Sequence, residues 1–131
     1  MNNTSARAVM QYTEQAGITA APDELLVMLL NAEIKNIRIA INAIKNKKIP
    51  DAHTRLIKAQ DIIDELIMSL DMNYEISKDL MTLYCFIKEK LVEANIKKDA
   101  DILEQLVPMV TELRDTWAQA SKIVRAKQKV V

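Results

Sequence analysis

The chain has 131 residues, half of them hydrophobic, with one Gly and three Pro. That length can bury one genuine core, and so few turn residues favour long helices joined by short links. Eighteen basic and eighteen acidic residues cancel, which leaves no electrostatic footprint for nucleic acid.

The single cysteine, Cys85, excludes an internal disulfide and suits a reducing cytosol. No apolar run approaches the ~18 residues of a membrane span. The first residues, Met-Asn-Asn-Thr-Ser, lack the basic region and apolar core of a secretion signal. These features predict a soluble, cytoplasmic, all-α protein.

Residues 1–20 are polar and irregular, with Val9, Met10, Tyr12 and Ile18 as isolated apolar points and Gly17 as a breaker; a short, mobile arm is expected there. The first helix is predicted over about 22–47. Pro22 suits its first position, Asp23 and Glu24 favour its positive start, and Lys45 to Lys48 its negative end. Its seam is Val27, Leu30, Ile34, Ile37, Ile41 and Ile44, spaced three and four apart as in a bundle.

Ile49-Pro50-Asp51 marks a turn. A second helix, about 51–71, carries Ala52, Leu56, Ala59, Ile63, Leu66 and Leu70. Asn73 is the expected cap of a third helix, about 74–97, with Ile76, Leu80, Leu83, Ile87, Leu91 and Ala94 as its seam. Asp99 is the expected cap of a fourth, about 99–126, with Leu103, Leu106, Val110, Leu113, Trp117, Ala120 and Val124. Pro108 should kink or split that helix near Val107, and the basic tail from Lys122 should fray. The expected architecture is an antiparallel four-helix bundle forming one domain.

Catalytic chemistry is not visible. His53 is the only histidine, and Pro50 stands three residues before it, where a di-iron bundle would need Glu. One Cys and one His do not make a zinc site. Cys85 and His53 lie on different helices, and the apolar run around Cys85 argues for an inert thiol rather than a nucleophile. Asp61, Asp64 and Glu65 read as a solvated face. There is no phosphate-binding glycine loop. Lys122, Arg125, Lys127 and Lys129 read as a basic helix end answering its own dipole. No enzyme, metal, cofactor, nucleic-acid partner or membrane insertion is expected.

What stands out is surplus apolar surface. In Leu80 to Ile87, seven of eight residues are apolar or aromatic, so the third helix wants cover on two sides. Beyond the seams lie Leu25, Leu26, Met28, Leu29 and Ile39 on the first helix, Ile57, Ile62, Ile67 and Met68 on the second, and Met81, Tyr84, Cys85, Phe86 and Val92 on the third. Leaving five or six such side chains wet would forfeit about 10 kcal/mol, comparable to a domain's whole stability. The cover is the arm, a second copy or another protein, and flexible methionines suit a surface that repacks on a partner.

The ordered residues resemble FliS, the flagellar export chaperone family. The stretches are Ala-Ala-Pro-Asp-Glu-Leu-Leu-Val-Met-Leu-Leu at 20–30 with Tyr12 ahead of it, Leu-Ile-Lys-Ala-Gln-Asp-Ile-Ile-Asp-Glu-Leu-Ile-Met-Ser-Leu-Asp at 56–71, Leu80-Met-Thr-Leu-Tyr84, Leu91-Val-Glu-Ala-Asn95 and Glu112-Leu-Arg-Asp-Thr-Trp117. Together they run from Tyr12 to about Ala120. Departures from the family pattern fall at Leu30-Asn31-Ala32, Asn73-Tyr74 and Cys85-Phe86-Ile87.

The resemblance implies a cytosolic chaperone without catalysis. It would hold the disordered C-terminal segment of flagellin along a helical bundle, block premature polymerisation and deliver the client to the flagellar type III secretion apparatus. Export-gate or assembly-factor proteins are further partners it leaves room for. On this reading Tyr12, Ile18, Leu25, Met28 and Leu29 border one end of a client track. Ile57, Met68, Met81, Tyr84, Cys85 and Val92 seat the client, and Asn95 bonds client backbone or caps the third helix. The rival reading is a self-associating adaptor or structural bundle whose extra face is a homodimer or partner-helix interface; a weak homodimer is compatible with both.

Overall fold

Four helices form where the apolar periodicity places them: α1 (Pro22–Lys45), α2 (Ile49–Met68), α3 (Ile76–Lys97) and α4 (Ala100–Lys129). They belong to a computed structural model that describes residues 22–129; Tyr12 and Ile18 lie outside those residues. Among the described residues each helix packs its backbone on two neighbours, in the cyclic order α1, α2, α3, α4. Cross-links show the antiparallel sense. Lys45 and Asn31 of α1 meet Glu104 and Arg114 of α4, and on the other side Asp64 of α2 meets Lys88 of α3 while His53 meets Asn95.

The chain turns between helices without glycine. α1 ends at Lys45, earlier than expected, because Lys47 takes the left-handed conformation at φ 59°. The Lys47 amide then donates to the Ile44 carbonyl at 3.0 Å and the Lys48 amide to Ala43 at 2.8 Å, the paired bonds of a Schellman end. Lys98, at φ 51°, closes α3 with the Lys98 and Asp99 amides both donating to the Ala94 carbonyl, the latter at 3.1 Å. Asp99 then caps α4, its Oδ1 accepting from the Asp101 amide at 2.9 Å.

Three expectations are corrected. Asn73 does not cap α3. Asp71 instead accepts from the Asn73 amide at 3.0 Å in an Asx turn, Ser77 Oγ donates to the Asp71 carbonyl at 2.6 Å, and α3 starts only at Ile76. Of the two outcomes expected at Pro108, a kink or a split, the split does not occur, since α4 runs unbroken through it. Pro108 and Glu104, whose carbonyl loses its donor, are both exposed, so water can satisfy the group. The third correction concerns the α3 seam. Tyr84, 1% exposed, is in the core, while Ile76 is 58% exposed and Leu80 and Leu83 are only half-buried. The buried residues of α3 are Ser77, Tyr84, Ile87, Leu91, Ala94 and Asn95; the expected seam holds from Ile87 to Ala94, and before it Tyr84 takes the interior while Leu80 and Leu83 pack partly buried against the core.

The core itself is continuous: Leu30, Ile34 and Ile37 of α1, Leu56, Ile63 and Leu66 of α2, Tyr84, Ile87 and Leu91 of α3, and Leu103, Leu106 and Val110 of α4. Ile62 and Leu29, expected outside the seams, are buried too. α1 packs closely along both α2 and α4. α3 has the same two neighbours and packs far less closely on them, least of all on α4.

Candidate functional site

The loose seam between α3 and α4 opens as an apolar trench. At one end Phe86 and Lys90 of α3 face Ile102, Gln105 and Met109 of α4 around a recess of about 180 Å³. That is space for several waters, hence for a large side chain. The adjoining recess, about 320 Å³, is lined by Leu83 of α3 and Met109, Glu112, Leu113 and Thr116 of α4, so Met109 is the shared floor. Toward the bundle end a third recess of about 320 Å³ lies among Leu26, Leu70, Tyr74, Ile76, Leu80, Tyr84 and Trp117. Its surroundings carry Met68, Met72, Tyr74 and Ile76, all exposed.

The trench follows from local sequence. The α3 positions 83, 86 and 90 and the α4 positions 102, 105, 109, 112 and 116 each repeat every three or four residues, one step to the side of the buried line. The bulk of Leu83, Phe86, Ile102 and Met109 keeps the helices from closing, since interaxial distance depends on the side chains at the contact. Phe86 is 41% exposed, with the Lys90 ammonium 5.7 Å from its ring centroid. Lys90 Nζ lies 3.3 Å from Glu93 Oε2, and Lys97 Nζ lies 3.1 Å from Glu93 Oε1. Hydrogen bonds from Lys97 and then Lys90 hold the Glu93 carboxyl below its usual range.

The flank of α3 toward α2 differs. Met81, Cys85, Lys88 and Val92 form its stripe, opposite Ile57, Asp61, Asp64 and Met68 of α2, and Lys88 binds Asp64 at the middle. Burial, then the neighbouring Asp64, pushes the Asp61 carboxyl upward against the pull of Lys88. Asp61, Asp64 and Glu65 are therefore half-buried rather than a solvated face. Cys85 is exposed, 3.8 Å from Met81 Sδ, and not an interior thiol.

The expected site residues thus separate. Ile57, Met68, Met81, Cys85 and Val92 share the α2-ward flank, exposed or half-buried. Leu25 and Met28 are half-buried on the first turns of α1, and Leu29 is core. Tyr84 offers no free face along the helix; it touches the end recess from the core side, and burial raises its hydroxyl to about 12. Asn95 is committed internally. Lys98 Nζ donates to Asn95 Oδ1 at 2.8 Å, and the Asn95 side-chain amide group also pairs with His53 Nδ1, 3.2 Å from Nδ2 and 3.3 Å from Oδ1. Phe86 was visible as surplus, but Ile102 and Met109 were not singled out; their spacing beside the α4 seam was the available signal. Among the described residues no cluster suits a metal ion, and no helix is long and apolar enough to cross a membrane.

The family model of the flagellar protein FliS matches residues 5–124. The flagellar secretion chaperone FliS of Bacillus subtilis strain 168 is 41% identical over 109 residues, covering 83% of this chain and 82% of that protein. The Vibrio cholerae flagellar secretion chaperone FliS is 30% identical, covering 76% and 75%. A solved structure described as a flagellar chaperone from bacteria superposes with a TM-score of 0.73 over 88% of this chain and 96% of that one, at 19% identity, a likeness of fold. With the match spanning nearly the whole sequence and the bundle in agreement, the chain belongs to the FliS family of flagellar secretion chaperones.

Proposed function

We propose that this protein works in the cytoplasm as an export chaperone, holding the C-terminal segment of flagellin until the flagellar type III secretion apparatus takes it. The α3–α4 trench, continuing toward the end recess, is the principal client track. The α2-ward stripe of Ile57, Met68, Met81, Cys85 and Val92 is a secondary seat. Export-gate or assembly-factor proteins are its further partners in delivery.

One observation carries this reading: an apolar trench, two recesses long, on a helix whose own core line is already filled. A disordered client loses chain entropy when it docks, so it needs a long apolar contact to offset that loss. Recesses in series supply one, and Met109, a flexible thioether, can repack to different side chains.

Calorimetric titration with a C-terminal flagellin segment from the same organism tests the proposal. Saturable one-to-one binding with a clearly negative heat-capacity change is expected, because apolar burial produces that sign. A folded monomer that fails to bind would overturn it. A tight dimer that fails to bind would place a second copy on the apolar surface instead.

A further inference from the structure

The trench is not uniformly apolar. Its two recesses share Met109, but each ends on a different charge: Lys90 lines the first and Glu112 the second. Resting on the client reading above, we propose that these two charges read the order of charge in the client. Lys90 takes a carboxylate and Glu112 takes a cation, so the segment lies in one direction and one register.

Both side chains are available for that role. Lys90 is bonded to Glu93, yet Glu93 keeps a closer lysine in Lys97, so releasing Lys90 strands no charge. Its position over the Phe86 ring holds the ammonium against the apolar wall, where a carboxylate beside an apolar anchor would arrive. Glu112 is exposed, and among the described residues its side chain forms no ion pair; its backbone carbonyl accepts from Thr116 Oγ1.

From Gln105, beside Lys90, to Glu112 is two turns of α4, ~10 Å along the axis. That span equals about seven residues of a helical client or about three of an extended one. The occupant is therefore a segment with an acid at one end of that interval, apolar anchors within it and a base at the other end. Reversed docking would set like charges together at both poles, which disfavours it.

The test titrates the C-terminal flagellin segment of the same organism, and a version with its acidic and basic residues exchanged. The proteins are wild type, Lys90→Glu, Glu112→Lys and the double variant. Each reversal should weaken the natural segment about tenfold, and the loss should shrink in ~1 M salt. The double variant should prefer the exchanged segment. Lys90→Met and Glu112→Gln keep the stems without the charge and should cost about threefold to fivefold; their melting temperatures should match wild type. Reversals within twofold of a wild type that binds, or a double variant that still prefers the natural segment, would overturn the charge order. A wild type that binds neither segment overturns the client reading and the charge order together.

Discussion

α1 and α3 occupy opposite corners of the bundle and share the same two neighbours, yet only α1 is gripped. α1 offers Ala40 and Ala43, and α2 offers Ala52 and Ala59, all buried. Small residues there let the backbones approach, so α1 can bury even Glu33 and Asn36. α3 carries Leu83 and Phe86 beside its core line, facing Ile102 and Met109 across the trench. Bulk on both sides of one seam holds it open. Close packing is thus concentrated around α1, and open apolar surface around α3.

Tyr84 is the sharpest test, because it is the side chain that ties the loose helix to the core. Tyr84→Ala should cost about 3–5 kcal/mol, as large aromatic truncations do, measured by denaturant unfolding. A cost below ~1 kcal/mol would mean that α3 hangs on other contacts and that the contrast with α1 is misplaced.

Next comes the contrast between the two flanks of α3. Met109→Glu sets a charge on the shared floor of the trench and should weaken flagellin-segment binding roughly a hundredfold, as at a central hot spot. Met109 is already half-exposed, so the melting temperature should move by only a few degrees. Ile57→Glu or Met81→Glu on the α2-ward flank should weaken binding only about fivefold to tenfold, the size of a peripheral contact. Equal losses on both flanks would erase the distinction between principal and secondary seats.

Much of this was legible in the residues. The apolar period placed the four helices, and five of the six α2 seam positions are buried. The surplus in Leu80 to Ile87 pointed to the helix that is in fact half-covered. The inward place of Tyr84 was not legible. Leu83 and Tyr84 are adjacent, and both complete a three-four pattern with Leu80 and Ile87. Tyr84 is the larger residue and fills the interior, but spacing alone does not weigh volume. The trench was missed for a related reason. It belongs to a pair of helices, and Ile102 and Met109 become notable only when Leu83 and Phe86 are seen opposite them. The lysines at φ 59° and 51° were also beyond reach, since left-handed helix ends are usually read from glycine.

Glu33 measures how firmly α1 is held. Its carboxylate is fully buried, and neither oxygen has a hydrogen-bond partner among the described residues. Burial first, and the negative charge of Asp64 second, raise its pKa well above the ordinary 4.5. The folded state therefore keeps a proton that the unfolded chain releases. The associated stability is fully present below pH 4.5 and declines as pH rises toward the folded pKa. The decline is at most about 1.4 kcal/mol per pH unit for one proton. Glu33→Gln removes the titration, so unfolding free energies measured between pH 5 and 8 should fall less steeply in the variant than in wild type. The difference between the two slopes isolates Glu33 from every other carboxylate. Parallel slopes would mean that water reaches Glu33, and that α1 opens as readily as α3.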